Sequence, residues 1–118
     1  MPRRVLVVDD CRTVRAILSS ALHDAGYEVT AAEDGFSGLD CLQRESYDAV
    51  LVDVNMPGMD GISFVRRLRE RCTAPVVMVT TENGAALMNQ GREAGANAWI
   101  VKPLQASRLV SVLNQLGA

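Results

Sequence analysis

The sequence predicts an α/β fold in which one parallel sheet of five strands is covered by helices on both faces. Three observations support this expectation. Five short apolar runs, rich in Val, Ile and Leu, alternate with stretches whose apolar residues recur at helical spacing. The runs show little polar alternation, which is typical of parallel strands that are buried on both faces. A helix between successive strands also fits right-handed crossover connections within a single sheet.

The first two strands are separated by a helical pattern. A β-branched run over Arg4–Asp9 predicts the first strand, which ends abruptly in carboxylates. Apolar residues at i, i+3, i+4, i+7 and i+8 then predict a helix, and they are Val14, Ile17, Leu18, Ala21 and Leu22. Gly26 closes this helix as a C-cap glycine does, and Tyr27–Ala32 predicts the second strand. A second helix is marked by Phe36, Leu39 and Leu42.

The remaining three strands follow at similar spacing. The third strand is expected over Asp48–Val54, and residues 55–61 form a turn by their composition. The third helix has its apolar face at Ile62, Val65 and Leu68. Pro75–Thr80 and Ala98–Val101 predict the last two strands, separated by a weakly patterned, glycine-interrupted helix over roughly Ala85–Ala94. The last helix is lined by Leu109, Val112, Leu113 and Leu116.

The composition excludes several classes of function. The 118 residues carry 12 Lys+Arg against 14 Asp+Glu, with a net charge of -2, and this balance argues against direct binding of nucleic acid. No apolar run approaches the roughly 20 residues of a membrane span, so no membrane insertion is expected. The run Val5–Val8 is too short for the apolar core of a signal peptide, which needs roughly 7–15 residues. The three cysteines are therefore expected to be reduced thiols in the cytoplasm.

Polar residues that end the predicted strands form a candidate site. In open parallel sheets, functional groups gather outside the carboxyl ends of the strands. The residues found there are Asp9, Asp10, Asp53, Thr80 and Lys102. Two carboxylates about 4 Å apart repel each other by about 4 kcal/mol at an effective dielectric constant of about 20, so this cluster needs a cation. Oxygen ligands without His or Cys select Mg²⁺ or Ca²⁺, and room for water and a phosphoryl oxygen favours Mg²⁺.

This set of residues suits phosphoryl transfer to an aspartate. Asp53 stands alone at its strand end and is the best placed nucleophile, because a carboxylate can form an acyl phosphate. Asp9 and Asp10 are expected on the metal side of the site. Thr80 and Lys102 are expected to bind the phosphoryl oxygens. The alternative for Asp9 and Asp10 is a capping role at the start of the first helix.

The basic residues are distributed unevenly between the two residue types. The chain has eleven Arg and a single Lys, Lys102. Because a planar guanidinium does not replace a compact ammonium in a tight site, this one Lys is expected to be required there. Four arginines form a run in the third helix and are expected to be a solvated face. They are Arg66, Arg67, Arg69 and Arg71.

Four motifs occur in order and at separations that are specific in combination, although each is weak alone. They are VLVVDD, LVDVNMPGMDG, VVMVT and GANAWIVKP. In these motifs the sequence resembles a response-regulator receiver domain of two-component systems, of the single-domain chemotaxis type. The resemblance runs from about residue 4 to residue 116 and implies a flavodoxin-like (βα)5 fold with strand order 2-1-3-4-5. It also implies one receiver domain over residues 1–118, with no output domain.

The resemblance implies a phosphorylation-dependent signalling switch. Asp53 would accept a phosphoryl group from a sensor histidine kinase or a histidine phosphotransfer protein. Mg²⁺ would be bound by Asp10, Asp53 and the main-chain carbonyl of Asn55, with Asp9 contributing through water. Such a domain is not an enzyme in the usual sense, because it catalyses only its own phosphorylation and dephosphorylation.

The resemblance also implies a conformational change beyond the phosphorylation site. A cis peptide bond is implied between Lys102 and Pro103. Thr80 would move toward the phosphoryl group, and an aromatic side chain two strands away would then turn inward. That aromatic is normally Tyr or Phe and sometimes His, whereas here it is Trp99, whose bulk makes an inward position harder to accommodate. The alternative is that the Trp99 ring is simply packed or permanently exposed.

The same resemblance implies roles for two further residues and for one surface. Asn55 and Glu82 each follow a site residue by two positions, and both are expected to tune hydrolysis of the phosphoryl group. The output is expected through protein contact on the surface of the fourth helix, the fifth strand and the fifth helix, around Trp99. Partners on that surface would be a flagellar motor protein, a phosphotransfer protein or a kinase.

Other functions remain as alternatives. A phosphorelay intermediate or a phosphate sink is the alternative to an effector of a flagellar motor. A phosphohydrolase that forms an aspartyl phosphate commonly has a second Asp where Asn55 stands. A flavodoxin-like nucleotide binder needs a Gly-rich or Ser/Thr-rich loop after the first strand, where Asp9 and Asp10 would repel phosphate. A constitutive docking module would not need the complete acidic set.

Overall fold

The computed structural model describes residues 3–81, 84–103 and 105–117. The strands are β1 (Arg4–Val8), β2 (Glu28–Ala32), β3 (Ala49–Val52), β4 (Val76–Thr80) and β5 (Ala98–Val101). The helices are α1 (Arg12–Asp24), α2 (Gly35–Arg44), α3 (Gly61–Arg69), α4 (Ala85–Ala94) and α5 (Ala106–Gln115). Within the described ranges, no helix is both long enough and apolar enough to cross a bilayer.

The sheet is parallel throughout, with the order β2-β1-β3-β4-β5, which confirms the expected fold class and strand order. The chain turns to one side of β1 to form β2 and then to the other side to form β3. The carboxyl ends of β1 and β3 therefore meet at a topological switch point, where ligands bind in such sheets. Val8 of β1 lies opposite Val52 of β3, so the residues that follow them, Asp9 and Asp53, are neighbours at this edge.

Two apolar cores lie on opposite faces of the sheet. Val5 and Val7 belong to the core beneath α1 and α5, whereas Leu6 and Val8 belong to the core beneath α2, α3 and α4. This alternation follows from the strand period of two residues. Because helices cover both faces, both sets of side chains are apolar, and the strands lack polar alternation as expected.

Two apolar residues assigned to helix faces toward the core instead lie on the surface. Ile17 of α1 is 58% exposed, and Phe36 of α2 is 61% exposed. Helix α2 buries Gly35 and Gly38 in place of Phe36. A Cβ atom on Gly38 would lie 3.0 Å from Val8 Cγ2, so the missing side chain allows α2 to approach the sheet closely. The buried face of α2 is thus set by glycines, which an apolar pattern does not register.

The basic run of α3 is only partly a solvated face. Three of the four arginines are exposed, as expected, and they are Arg66, Arg67 and Arg71. Helix α3 ends at Arg69, so Arg71 lies beyond the helix in which it was expected. Arg69 is half-buried, which makes the expectation wrong at this position. Its guanidinium donates to the carbonyl oxygens of Cys72 and Ala74, at 3.1 and 2.7 Å. It also donates to the carbonyl oxygen of Gly95 and to Oδ1 of Asn97, each at 2.8 Å from Nη2. Arg69 therefore joins the end of α3 to the segments that precede β4 and β5.

Replacing Arg69 with Ala should lower the free energy of unfolding by about 2–3 kcal/mol, because hydrogen bonds from a charged donor are lost and partly buried carbonyl oxygens are left without it. The matched control is Arg66→Ala, in the same helix but exposed, which should change this free energy by less than about 0.5 kcal/mol. Urea unfolding of both variants measures the difference. Equal losses in the two variants would show that Arg69 is not a structural anchor.

Candidate functional site

Asp9 and Asp10 follow β1 directly and differ in exposure. Asp9 is only 1% exposed, whereas Asp10 is exposed to solvent. Oδ1 of Asp9 accepts a hydrogen bond from the main-chain N–H of Cys11 at 2.9 Å, and its main-chain oxygen accepts one from Nη1 of Arg15 at 2.7 Å. Cys11 rather than Asp10 is the N-cap residue of α1, so the alternative capping role of the acidic pair is not realised.

Asp53 stands at the end of the neighbouring strand. Strand β3 ends at Val52, earlier than expected, so that Asp53 lies just beyond the sheet edge, with 7% exposure. Its Oδ1 accepts a hydrogen bond from the main-chain N–H of Asn55 at 3.3 Å. Carboxylate oxygens of Asp9, Asp10 and Asp53, one from each, all lie within 4.8 Å of one another. The structure therefore brings together the three acids that the strand ends indicated.

Lys102 supplies the positive charge at this cluster. Its Nζ lies 3.2 Å from Oδ2 of Asp9 and 3.4 Å from Oδ2 of Asp53. The main-chain N–H of Lys102 donates to the carbonyl oxygen of Thr80 at 2.7 Å, which extends the β4–β5 pairing to the site. The peptide bond between Lys102 and Pro103 is cis, the isomer that the family resemblance implies. The single lysine of the chain thus contacts two of the three clustered carboxylates.

Burial and the neighbouring charges shift the pKa values of Asp53 and Lys102. Burial raises the pKa of the Asp53 carboxyl, the charge of Asp9 raises it further, and Lys102 opposes this only in part. Burial lowers the pKa of the Lys102 ammonium, but Asp53 and Asp9 outweigh this effect, and the pKa lies above its usual value. Lys102 is therefore a fixed positive charge at neutral pH. One ammonium among three carboxylates leaves the cluster with excess negative charge.

The acidic cluster fits a hard divalent cation. Its side-chain donors are carboxylate oxygens, and Mg²⁺ prefers oxygen ligands. The exposed Asp10 places one edge of the cluster in contact with solvent, so an ion bound there can keep several water ligands, as Mg²⁺ usually does. The excess of negative charge gives the cluster a reason to bind such an ion.

Helix α3 begins immediately behind Asp53. The N–H of Gly61 donates to the carbonyl oxygen of Val54 at 2.8 Å. A Cβ atom on Gly61 would lie 2.2 Å from the carbonyl oxygen of Asp53, so no larger residue fits without displacing the backbone. Asp60 is the N-cap of the helix, and its Oδ1 accepts a hydrogen bond from the N–H of Ser63 at 2.9 Å. Burial tends to raise the pKa of Asp60, but its hydrogen bonds, chiefly from Ser63, outweigh burial and lower it.

The two expected switch residues lie on one face of the sheet. Thr80 ends β4 and is fully buried. Trp99 is half-buried on β5, opposite Met78 in the register of the two strands. Because Met78 and Thr80 are two residues apart, Thr80 and Trp99 are directed to the same face. Of the two residues expected to tune hydrolysis, Asn55 is exposed beside Asp53, and Glu82 lies outside the described residues.

Two residues of the site were missed by the sequence analysis. Arg15 holds the main chain of Asp9, but a spacing of six residues across a strand end and a helix start has no recognisable pattern. Gly61 had a usable signal, because glycine at the start of a helix allows another backbone segment to approach closely, and Gly61 directly follows the capping Asp60.

A family model described as the response regulator receiver domain matches residues 5–114. The transcriptional regulatory protein CseB of Streptomyces coelicolor is 38% identical over 107 residues, which are 91% of this chain and 46% of CseB. The chemotaxis protein CheY-3 of Vibrio cholerae is 37% identical over 117 residues, which are 96% of this chain and 90% of CheY-3. The chain therefore spans about half the length of the first relative and most of the second.

Known structures share the whole architecture. The chemotaxis protein CheY4 of Vibrio cholerae superposes with a TM-score of 0.93 at 37% identity, over 98% of this chain and 99% of CheY4. The receiver domain of the sensor histidine kinase PA1611 from Pseudomonas aeruginosa superposes with a TM-score of 0.91 at 26% identity, over 100% of both chains. The PA1611 structure has a magnesium ion coordinated in its active-site cleft.

Replacing Gly61 with Ala should destabilise the fold and disturb Asp53 at the same time. The added methyl group would overlap the carbonyl oxygen of Asp53, and such overpacking costs about 1–3 kcal/mol of the free energy of unfolding. Urea unfolding with and without Mg²⁺ should show both a lower stability and a smaller gain from the ion. Gly84→Ala is the control, because a Cβ there meets open space. A Gly61→Ala protein that behaves like this control would contradict the steric role.

Proposed function

The chain belongs to the family of response regulator receiver domains, and within this family we propose that Asp53 is its phosphoacceptor. A protein of this family is a phosphorylation-dependent signalling switch of a two-component system. The observation that carries the proposal is the buried Asp53 carboxylate, which lies against Lys102 and two further carboxylates at the switch point of the sheet.

Asp53 has the position of a nucleophile. Its Oδ1 is held by the N–H of Asn55 and its Oδ2 by Lys102, so the orientation of the carboxylate is set before a donor arrives. In the proposed step, a carboxylate oxygen of Asp53 forms a bond to phosphorus as the P–N bond of a phosphohistidine breaks. The electron pair of that bond leaves with the imidazole nitrogen, which takes up a proton.

Lys102 and Thr80 are the groups proposed to hold the transferred phosphoryl oxygens. Lys102 already contacts Asp53, so its ammonium needs little movement to donate to an oxygen bound to the new phosphorus. Thr80 lies at the end of the adjacent strand, and its carbonyl oxygen accepts a hydrogen bond from the main-chain N–H of Lys102. A hydroxyl and an ammonium at neighbouring strand ends can together bind two of the oxygens of a phosphoryl group.

Receiver domains bind Mg²⁺ in their active sites, as in the PA1611 structure. We propose that Asp10, Asp53 and the main-chain carbonyl of Asn55 hold the ion in this chain, with Asp9 contributing through water. When bound, the ion would neutralise negative charge on the phosphoryl group and the carboxylates. Asp9 is the most deeply buried of the three acids, at 1% exposure against 7% for Asp53, and Asp10 is exposed, which supports a role of Asp9 through water rather than direct ligation.

Receiver domains act between histidine kinases and downstream targets. For this chain the proposed donor is a sensor histidine kinase or a histidine phosphotransfer protein. The proposed output is contact with another protein through the surface of α4, β5 and α5, in the cytoplasm. Similarity to CheY-3 and CheY4 over nearly their full lengths supports this output over a phosphorelay intermediate or a phosphate sink. We further propose that the domain catalyses only its own phosphorylation and dephosphorylation, with Asn55 and Glu82 tuning the second step.

Replacing Asp53 with Asn should abolish covalent phosphorylation, because a neutral amide does not form an acyl phosphate. Incubation with a small acyl phosphate and Mg²⁺, followed by intact-mass measurement, should show one added phosphoryl group on the natural protein and none on the variant. Asp40→Asn, which removes an exposed carboxylate from α2, should leave the labelling unchanged. Undiminished labelling of the Asp53→Asn protein would refute the assignment of the phosphoacceptor.

Replacing Asp10 with Asn should have opposite effects in the absence and presence of Mg²⁺. Without the ion, removal of one charge relieves repulsion in the cluster and should raise the free energy of unfolding. With the ion, the natural protein should gain about 2.7 kcal/mol at a concentration one hundred times its dissociation constant, and the variant should gain much less. Asp24→Asn, exposed at the end of α1, is the control. If both variants gain as much from Mg²⁺ as the natural protein, Asp10 is not a ligand.

A further inference from the structure

Gly91 occupies an unfavourable position for a glycine. It lies inside α4, in the last turn before the helix ends at Ala94, and it is buried. In the interior of a helix, glycine is less favourable than every other residue except proline. A glycine at such a position is expected to have a packing or functional reason. What lies against Gly91 therefore decides its role.

The ring of Trp99 occupies the space that a side chain at position 91 would need. A Cβ atom on Gly91 would lie 2.8 Å from Cζ3 and 3.4 Å from Cε3 of Trp99. The next atom is Cγ of Met78, at 3.9 Å. A separation of 2.8 Å is well inside van der Waals contact, and the atoms concerned belong to a rigid ring rather than to the end of a flexible chain. The half-buried indole fits between β5 and α4 because residue 91 has no side chain.

The Trp99 ring also connects two parts of the molecule. It packs against the core beneath α2, α3 and α4, which contains Met78 and Ala94. In the strand register, Trp99 lies opposite Met78, and Thr80 follows two residues later on the same face. Beside the indole, a cleft of about 230 Å³ is lined by Met88, Arg92, Ala96, Asn97 and Ala98. The ring thus lies between the strand that carries Thr80 and the outer surface of α4.

We propose that Gly91 is a positioning residue for Trp99, and that the two form a size-matched pair that couples the indole to helix α4. The pair allows the bulky Trp to take the packed position on β5. Because the ring already fills the space of a side chain at position 91, further movement of the indole toward α4 would displace the helix. The next step rests on the proposed function. When Asp53 is phosphorylated, the pair transmits a structural change at Thr80 to the surface formed by α4 and β5.

A double-mutant cycle tests the pair in the unphosphorylated protein. With Trp99 present, Gly91→Ala should raise the equilibrium constant of unfolding roughly 5- to 30-fold, because the added methyl group overlaps the ring. With Trp99→Ala, the same change should lower this constant by about four- to fivefold, because only the better helix propensity of Ala remains. Urea unfolding followed by circular dichroism measures all four proteins. The same direction of change in both backgrounds would overturn the proposal.

Fluorescence provides a second readout that does not depend on the folding of Trp99→Ala. Trp99 is the single tryptophan of the chain, so the emission reports on this ring alone. Gly91→Ala should shift the emission to longer wavelength and increase quenching by acrylamide, because the ring is pushed toward solvent. Gly84→Ala, at the N-cap of the same helix and with open space around its Cβ, should change neither. Unchanged emission and quenching in Gly91→Ala would likewise overturn the proposal.

The coupling to phosphorylation is tested with beryllofluoride and Mg²⁺, which mimic an acyl phosphate. The natural protein should show a change in Trp99 emission, and this change should be lost or reduced in Gly91→Ala although the small acyl phosphate still labels Asp53. An equal change in both proteins would overturn the coupling. Absence of labelling at Asp53 would instead refute the proposed function, while the double-mutant cycle would still decide whether Gly91 and Trp99 are size-matched.

Discussion

The contact of one ammonium with two buried carboxylates is the interaction on which the site depends. Lys102 Nζ lies 3.2 Å from Asp9 and 3.4 Å from Asp53, and both acids are almost completely removed from water. Two such charges at neighbouring strand ends repel each other by about 4 kcal/mol at an effective dielectric constant of about 20, so their burial requires a nearby cation. Lys102 compensates this charge only in part, and the pKa of Asp53 is raised, first by its burial and then by the charge of Asp9. Uncompensated negative charge of this kind favours the binding of a divalent ion.

This contact joins residues that are remote in sequence, so it depends on the topology of the sheet. Lys102 follows Asp53 by 49 positions and Asp9 by 93. The parallel order places the carboxyl ends of β1, β3, β4 and β5 along one edge, and the bond from the Lys102 N–H to the Thr80 carbonyl continues the last strand pair to that edge. A shift of β5 by one residue would direct the lysine to the opposite face of the sheet. Packing in both cores therefore keeps the charges in place.

The strand ends could be predicted from the sequence because a buried apolar run that stops at a carboxylate indicates both the strand and the edge where it ends. Asp9, Asp53 and Lys102 were brought together on that reasoning alone. Glycine contacts could not be predicted in the same way. The apolar pattern places Phe36 on a buried face, but α2 turns its glycines to the sheet instead, and the missing side chain of Gly38 lets the helix approach Val8. An apolar pattern records which side chains avoid water, and it contains no information on where a backbone fits because a side chain is missing.

The position of α4 likewise depends on a missing side chain, which an apolar pattern does not show. The sequence suggested that the bulk of Trp99 would hinder an inward position, whereas Gly91 provides the space for it. Helix α4 buries only Gly91 and Ala94, in contrast to α3, whose five buried residues include four with larger apolar side chains. A helix held by so little apolar area costs less free energy to displace than its neighbours do. Of the two helices that bury only small residues, α2 and α4, it is α4 that follows the strand ending in Thr80. The helix that follows the charged site in the chain is therefore also one whose displacement costs less free energy than that of α3.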